Sequence, residues 1–554
     1  MKRRTFMQNT SLASAGFLTL GSKVFSSPDK AGLLIKNATI VDGTGGILWQ
    51  ADLLIKDDLI ADIGKFPDNA ADTVINASGL HISPGFIDMH THSDDNILLY
   101  PGAESRITQG ITTEVTGNCG YSAAPLKGMD SEKRQDDFKK DGVTESWDDV
   151  ASYCQVVDKQ KIALNHALLL GQGTLRRNAV GLVDRDLTQK ELESVLAALE
   201  EGLDQGAFGF STGLEYTPGS FTPTDELITM ARVTARRGGM HATHMRDEES
   251  RLLEAIAEAL TIARESGVRL QISHLKANGK ANWHKQIAAL DMIESARADG
   301  VDVLIDAYPY TAFSTTLLTF IPHWAREGGS KNLGERLTDP DLRSKIKTEA
   351  DHNVKFDLGG YELIVISSLK ENTALIGQSM LQIAESWQME PIDAYIKLLE
   401  DEKFSVGFVG HGMNPDNVEM VLAHPLVMIG SDGSVQAPYG PAAKNRPHPR
   451  SYGTCARVLS HYCRERKIFD LATAVKKMTS MPADHLGLKN RGRIAKGMKA
   501  DLVIFDFDKV EDKATFTDPH QYAVGFEYVL VNGKAVIDKG KLTENRPGGM
   551  LRNI

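Results

Sequence analysis

Two histidines and a cysteine stand at the ends of neighbouring apolar runs near the start of this chain. Gly85-Phe86-Ile87-Asp88-Met89 leads into His90-Thr91-His92, and the run Ile111 to Val115 leads into Gly117-Asn118-Cys119-Gly120. In a strand, residues i and i+2 point to the same side, so both imidazoles face one space. Imidazole and thiolate are both good zinc donors, which makes a metal the economical reading. His-x-His alone is a short pattern. Later apolar runs end in the same manner, however: His244 closes His241-Ala242-Thr243-His244, His274 follows Gln271-Ile272-Ser273, and Asp432 follows Met428-Ile429-Gly430-Ser431. Four histidines, a cysteine and an aspartate at equivalent strand ends are hard to reach by chance. A zinc ion held by a thiolate and neutral imidazoles lowers the pKa of a bound water from about 16 to about 7. A carboxylate beside that water, for which Asp432 is the candidate, can take its proton and later deliver it to a leaving amine. That is the chemistry of amide hydrolysis. A nucleophilic serine has little support, because no Gly-x-Ser-x-Gly elbow is visible.

Eight β-like runs would position these residues. After the two above come Ile162 to Leu170, Ala207 to Thr212, Met240 to Thr243, Val268 to Ser273, Val301 to Asp306 and Leu426 to Ser431. Helical stretches lie between several of them, at Leu187 to Gln205 and at Ser250 to Glu265, the latter with apolar Leu252, Ile256, Leu260 and Ile262. Eight such units fit an α/β fold of the (β/α)8 TIM-barrel type over 84–489, with a site at the C-terminal ends of the strands. The interval from about 313 to 425 is too long for one helix and loop, so it holds an insertion, a lid in its simplest form, with its own β-like run Leu363 to Ile366. Residues 31–83 and 490–545 are short β-like runs with turns, and Asn532-Gly533 is a strong hairpin signal. Two β-rich ends around a different middle predict one small β-domain built from both termini.

Composition narrows the function class. At 554 residues with 42% hydrophobic and 24% charged residues, the chain has the make-up of a globular enzyme. A net charge of −11 without a long basic tract argues against nucleic acid or an anionic membrane as a partner. Residues 1–27 read differently. Lys2-Arg3-Arg4-Thr5-Phe6-Met7 is a basic segment with twin arginines, Ser11 to Leu20 is weakly apolar, and Val24-Phe25-Ser26 offers a cleavage site. This is the pattern of a Tat signal peptide; it predicts export by the Tat machinery to the periplasm and no stable membrane span. Four cysteines, Cys119, Cys154, Cys455 and Cys463, are too few for a disulfide scaffold, and Cys119 is expected to be unpaired.

The stretches PGFIDMHTHSD, GITTEVTGNCG, GTLRR, GFSTGLEYTP, HATHMRDE, ISHLKANGKANW, DAYPYTA, IGSDG, HPRSYGT, KMTSMPA and DPHQYAVGFEYVLVNG occur in this order over residues 31–550. On them the chain resembles the amidohydrolase superfamily, and within it the D-aminoacylases (N-acyl-D-amino-acid deacylases). The resemblance implies a zinc-dependent barrel with a flanking β-sandwich. It implies that Cys119, His244 and His274 hold a tight zinc, and that His90 and His92 form a second, weaker position with Cys119 and Asp432. Asp432 would be the catalytic acid/base. Lys276, Tyr308 and Arg450 would bind the substrate carboxylate, a role that a guanidinium, an ammonium and a phenol suit. The expected substrate is an N-acyl-D-amino acid. A D-residue dipeptidase or a cyclic-amide hydrolase would keep the fold and metal, and a non-catalytic binding protein would have lost the ligands. His241 fits either a supporting or a purely structural role, Asp247 and Glu248 read as structural residues at a helix start, and His411 is left unassigned.

Overall fold

The computed structural model describes residues 31–129 and 131–553. The predicted leader, residues 1–27, lies outside the described residues. Each of the eight apolar runs contains a strand, and all their pairings are parallel. Phe86–Asp88, Ile111–Thr116 and Asn165–Leu168 form one three-stranded sheet. Leu170–Gly171, Gly209–Gly213, Met240–His244, Arg269–Ile272, Val303–Ala307 and Val427–Ile429 follow one another across a six-stranded sheet. Only Leu169 separates the last strand of the first sheet from the first of the second. At the other side, Thr91 and Gly433 form a parallel bridge just past the first and last strands. These strands are buried almost throughout, which explains why they read as near-continuous apolar runs rather than alternating ones.

The helices that separate the strands carry legible ends. Gln189–Asp204 begins at a capping box in which Thr188 and Glu191 satisfy each other's backbone N–H groups. Leu252–Ser266 stops at Gly267, which adopts the left-handed conformation that a helix end favours.

Both chain ends enter one nine-stranded sheet, through which hydrogen bonding runs unbroken. Its seam is the antiparallel pairing of His81–Pro84 with Leu502–Phe505, Ile82 lying opposite Ile504. Because strand side chains alternate, Leu502 and Ile504 join Ile35, Leu53 and Ile82 in one core, while Val503 and Phe505 join Phe86 and Ile111 in another. One strand thus glues the end sheet to the parallel strands. The hairpin at Asn532-Gly533 has both residues at positive φ, 49° and 77°, as a tight two-residue hairpin turn requires.

The insertion is a unit of its own. Phe313–Thr316, Ile364–Ser368 and Gly407–Gly410 form an antiparallel sheet with the last strand in the middle. Its core includes Phe320, Ile366, Tyr395, Leu399 and Phe408, separate from the main one. Among the described residues no helix is long and apolar enough to cross a membrane, and all four cysteines are free thiols. Phe408 is fully buried, with the rings of Phe313 and Phe320 5.6 and 5.7 Å away. Phe408→Ala is expected to destabilise this unit by about 3–5 kcal/mol. Hydrogen exchange should then show faster opening confined to the inserted segment.

Candidate metal centre and active site

The chemistry-bearing residues sit where the parallel strands end, and three of them turn the chain sharply there. Cys119, His274 and Asp432 have φ of 51°, 35° and 53°, in the left-handed region that side chains other than glycine seldom enter. Gly117, at φ +79°, lets the Cys119 loop pass against the backbone, since a Cβ there would lie 1.9 Å from the Leu169 carbonyl oxygen.

The turns bring the side chains to one point. Cys119 Sγ lies 3.3 Å from His90 Nε2 and 3.5 Å from His274 Nε2. His274 Nε2 is in turn 2.9 Å from His244 Nδ1. Asp432 Oδ1 is 3.0 Å from His92 Nε2 and 3.6 Å from His90 Nε2. Among the described residues, two sets have ligand atoms all within 4.8 Å of one another: His90, Cys119, His274 and Asp432, and His244, Glu248 and His274. A thiol, imidazoles and a carboxylate are the donor set of a borderline-soft divalent ion such as zinc.

Protonation fits that reading. Burial alone would raise the Cys119 thiol, but the imidazoles of His90, His92, His244 and His274 pull it well below its ordinary range. Burial likewise opposes ionisation of Asp432, yet Arg450 and His90 hold it well below the usual carboxylate value. An ionised thiolate and carboxylate are the forms a cation needs.

A cavity of about 470 Å³ opens onto this cluster, with His92, Cys119, His244, Lys276 and Asp432 in its wall. The inserted unit supplies part of the same wall through Phe313, Thr315 and Phe320. The volume suits a small molecule.

A family model described as the amidohydrolase family matches residues 73–537. An N-acyl-D-glutamate deacylase of Alcaligenes xylosoxydans xylosoxydans is 35% identical over 526 residues, which cover 95% of this chain and 97% of that one. A D-aminoacylase of the same organism is 35% identical, covering 94% and 97%. The crystal structure of N-acyl-D-glutamate deacylase from Bordetella bronchiseptica, complexed with zinc and a phosphonate inhibitor, is 33% identical. It matches with a TM-score of 0.81 over 95% of this chain and 100% of its own. The chain belongs to the amidohydrolase family.

In this amidohydrolase one of the expected carboxylate binders, Arg450, contacts Asp432 directly. Arg450 is the first residue of the helix Arg450–Arg457; its Nη1 lies 2.8 Å from Asp432 Oδ2 and its Nη2 donates to the Ser314 carbonyl. Its guanidinium lies 5.0 Å from the centre of the Tyr308 ring. Lys276 pairs with Glu248 and lies 3.1 Å from His274 Nδ1. Arg450 and Tyr308 therefore meet directly, whereas Lys276 stands on the His274 side.

Three carboxylates complete the site, and the strand-end rule reaches one of them, Glu215. Asp306 Oδ2 is 3.2 Å from His90 Nδ1, Glu248 Oε1 is 2.8 Å from His274 Nδ1, and Glu215 Oε2 is 2.8 Å from His244 Nε2. Each backs one imidazole and fixes which nitrogen turns inward. Glu248 is thus part of the site, against the structural reading of the sequence. It is buried with the His274 imidazole and the Lys276 ammonium both facing it. Asp247 does have the local role: its carboxylate accepts from the backbone of Glu249 and Arg251. Glu215 obeys the same rule as the ligands, lying two residues past Gly209–Gly213.

Two other histidines of the amidohydrolase stand apart from the cluster. His411 follows Gly407–Gly410 and packs on Phe516, the rings 5.0 Å apart. His241 stacks on Phe210 at 4.3 Å, bonds to Thr212 Oγ1 at 3.0 Å, and is pushed down to about 3 by burial. It stays neutral in the fold, while the unfolded chain takes up a proton near its ordinary pKa of about 6.5. Stability is therefore lost as pH falls from about 6.5 toward about 3. His241→Phe, which keeps the stacking, should lose less melting temperature than the parent between about pH 7 and about pH 5.

Proposed function

We propose that this chain hydrolyses the amide bond of N-acyl-D-amino acids, releasing a carboxylate and a free D-amino acid. The observation that carries the reading is the convergence of His92, Cys119, His244, His274 and Asp432 on one cavity, with His90 behind Cys119. The relatives named for deacylation of N-acyl-D-amino acids match nearly the whole chain. The scaffold is a (β/α)8 barrel over 84–489, interrupted by the insertion, with a β-sandwich domain from 31–83 and 490–545. Its closure is supported by the nine parallel strands, two of them from one apolar run, and the Thr91–Gly433 bridge.

Cys119, His244 and His274 would hold the tight zinc, and His90 and His92, with Cys119 and Asp432, a weaker second ion. Zinc supplies polarisation of the scissile carbonyl and of the attacking water. The rest falls to the chain. Asp432 takes a proton as the water oxygen bonds to the carbonyl carbon, and gives it to the amide nitrogen as the C–N bond breaks. Arg450, Tyr308 and Lys276 bind the substrate's α-carboxylate and so set the face it presents. Arg450 reaches both Asp432 and the Tyr308 ring, which supports a carboxylate seat beside the acid/base.

Asp432→Asn is expected to keep nearly all tight zinc and lower kcat by about a hundred- to ten-thousand-fold. Cys119→Ala should instead lose metal, read by elemental analysis. Full turnover in Asp432→Asn would reject the proton shuttle. A screen of N-acyl-D- and N-acyl-L-amino acids, D-residue dipeptides and cyclic amides should show turnover of the D-acyl compounds; turnover of the other classes alone would overturn the substrate reading.

The workplace we propose is the periplasm, reached through the Tat machinery. Lys2-Arg3-Arg4 and the weakly apolar segment after it support this. Replacing Arg3 and Arg4 by Lys should leave the protein in the cytoplasm, measured by cell fractionation.

A further inference from the structure

His244 differs from the other cluster histidines in how it is held. It turns Nδ1 toward His274 and offers Nε2 to Glu215, at 2.9 and 2.8 Å. Glu215 is itself held from the far side, because Thr319 Oγ1 donates to Glu215 Oε1 at 2.5 Å. Both carboxylate oxygens are thus spoken for, one by the imidazole and one by a hydroxyl of the inserted unit. A second tie runs beside it. The Tyr216 ring lies 4.7 Å from that of His244, and its hydroxyl is 3.0 Å from Thr315 Oγ1. Two consecutive residues of the loop after Gly209–Gly213 therefore touch His244 with one end and the segment 313–320 with the other. The same segment walls the cavity through Phe313, Thr315, Thr319 and Phe320.

We infer that Glu215 is the positioning residue of His244, and that Thr319 and Thr315 couple the seating of the inserted unit to the strength with which the centre holds its metal. A carboxylate behind an imidazole fixes the tautomer and raises the basicity of the nitrogen that faces the ion. If the hydroxyl of Thr319 moves, Glu215 loses one of its two anchors and His244 its fixed orientation. The inserted unit then acts on the metal centre without contributing a ligand. This rests on the zinc reading above.

Zinc affinity of the full-length chain, measured by competition with a chromophoric chelator, tests the inference apart from activity. Glu215→Ala should weaken zinc about 10- to 100-fold. Glu215→Gln, which keeps an acceptor oxygen without the charge, should fall between that variant and the parent. Thr319→Val should weaken zinc by a smaller factor, although among the described residues its hydroxyl bonds to Glu215 alone. Parent-like affinity in a folded Glu215→Ala would overturn the role of Glu215, and parent-like affinity in Thr319→Val would overturn the coupling. If circular dichroism shows Glu215→Ala unfolded, Glu215→Gln carries the first arm, and parent-like affinity there overturns it equally. A parent protein that binds no zinc would instead overturn the metal reading itself.

Discussion

A half-buried thiolate among imidazoles is the constraint to which the rest of this structure is fitted. Taken out of water, Cys119 would be driven to its neutral form; the imidazoles around it reverse that. The imidazoles in turn face carboxylates: Asp306 behind His90, Glu248 behind His274, Glu215 behind His244. Hydrogen-bonding partners thus continue outward from the sulfur, so each buried polar group faces a complementary neighbour. Removing one member leaves its partner buried and unpaired, which costs far more than the pair is worth.

Holding such an arrangement takes elements that do not move. Parallel strands buried on both faces give fixed starting points, and the left-handed turns at Cys119, His274 and Asp432 aim the side chains across the strand ends. Each turn costs on the order of 1–2 kcal/mol for a residue with a Cβ. Strain of this kind persists where the surroundings over-determine the backbone, and it gathers at functional sites.

The sequence made the strands and the inward-facing groups readable, and for one reason. An apolar run long enough to be a buried strand marks its own end, so His90, Cys119, His244, His274 and Asp432 stand out by position alone. Of the groups behind them, Glu215 alone lies just past a strand, and nothing local names its partner. Asp306 belongs to the strand Val303–Ala307 rather than following it. Glu248 sits in an acidic stretch that also looks like a helix start, and its burial depends on Lys276 and His274, distant in the chain. Glu215 matters because Thr319 meets it from 104 residues away. The internal sheet of the insertion was hidden similarly, since Phe313 pairs with Gly410 across nearly a hundred positions. Local pattern reports burial; it does not report who the partner is.

The seam of the end sheet has a consequence for how the molecule is made. Ile82 pairs with Ile504 and Ser83 with Val503, so this sheet cannot close until almost the whole chain has been synthesised. His81–Pro84 then runs through Gly85 into Phe86–Asp88, the strand that carries His90 and His92. The histidine arm therefore gains its final anchorage late, after the C-terminal strands have found their mates. Contacts of such long sequence separation form slowly. Pairing of the two chain ends is thus a step on which the anchorage of the strand before His90 and His92 depends.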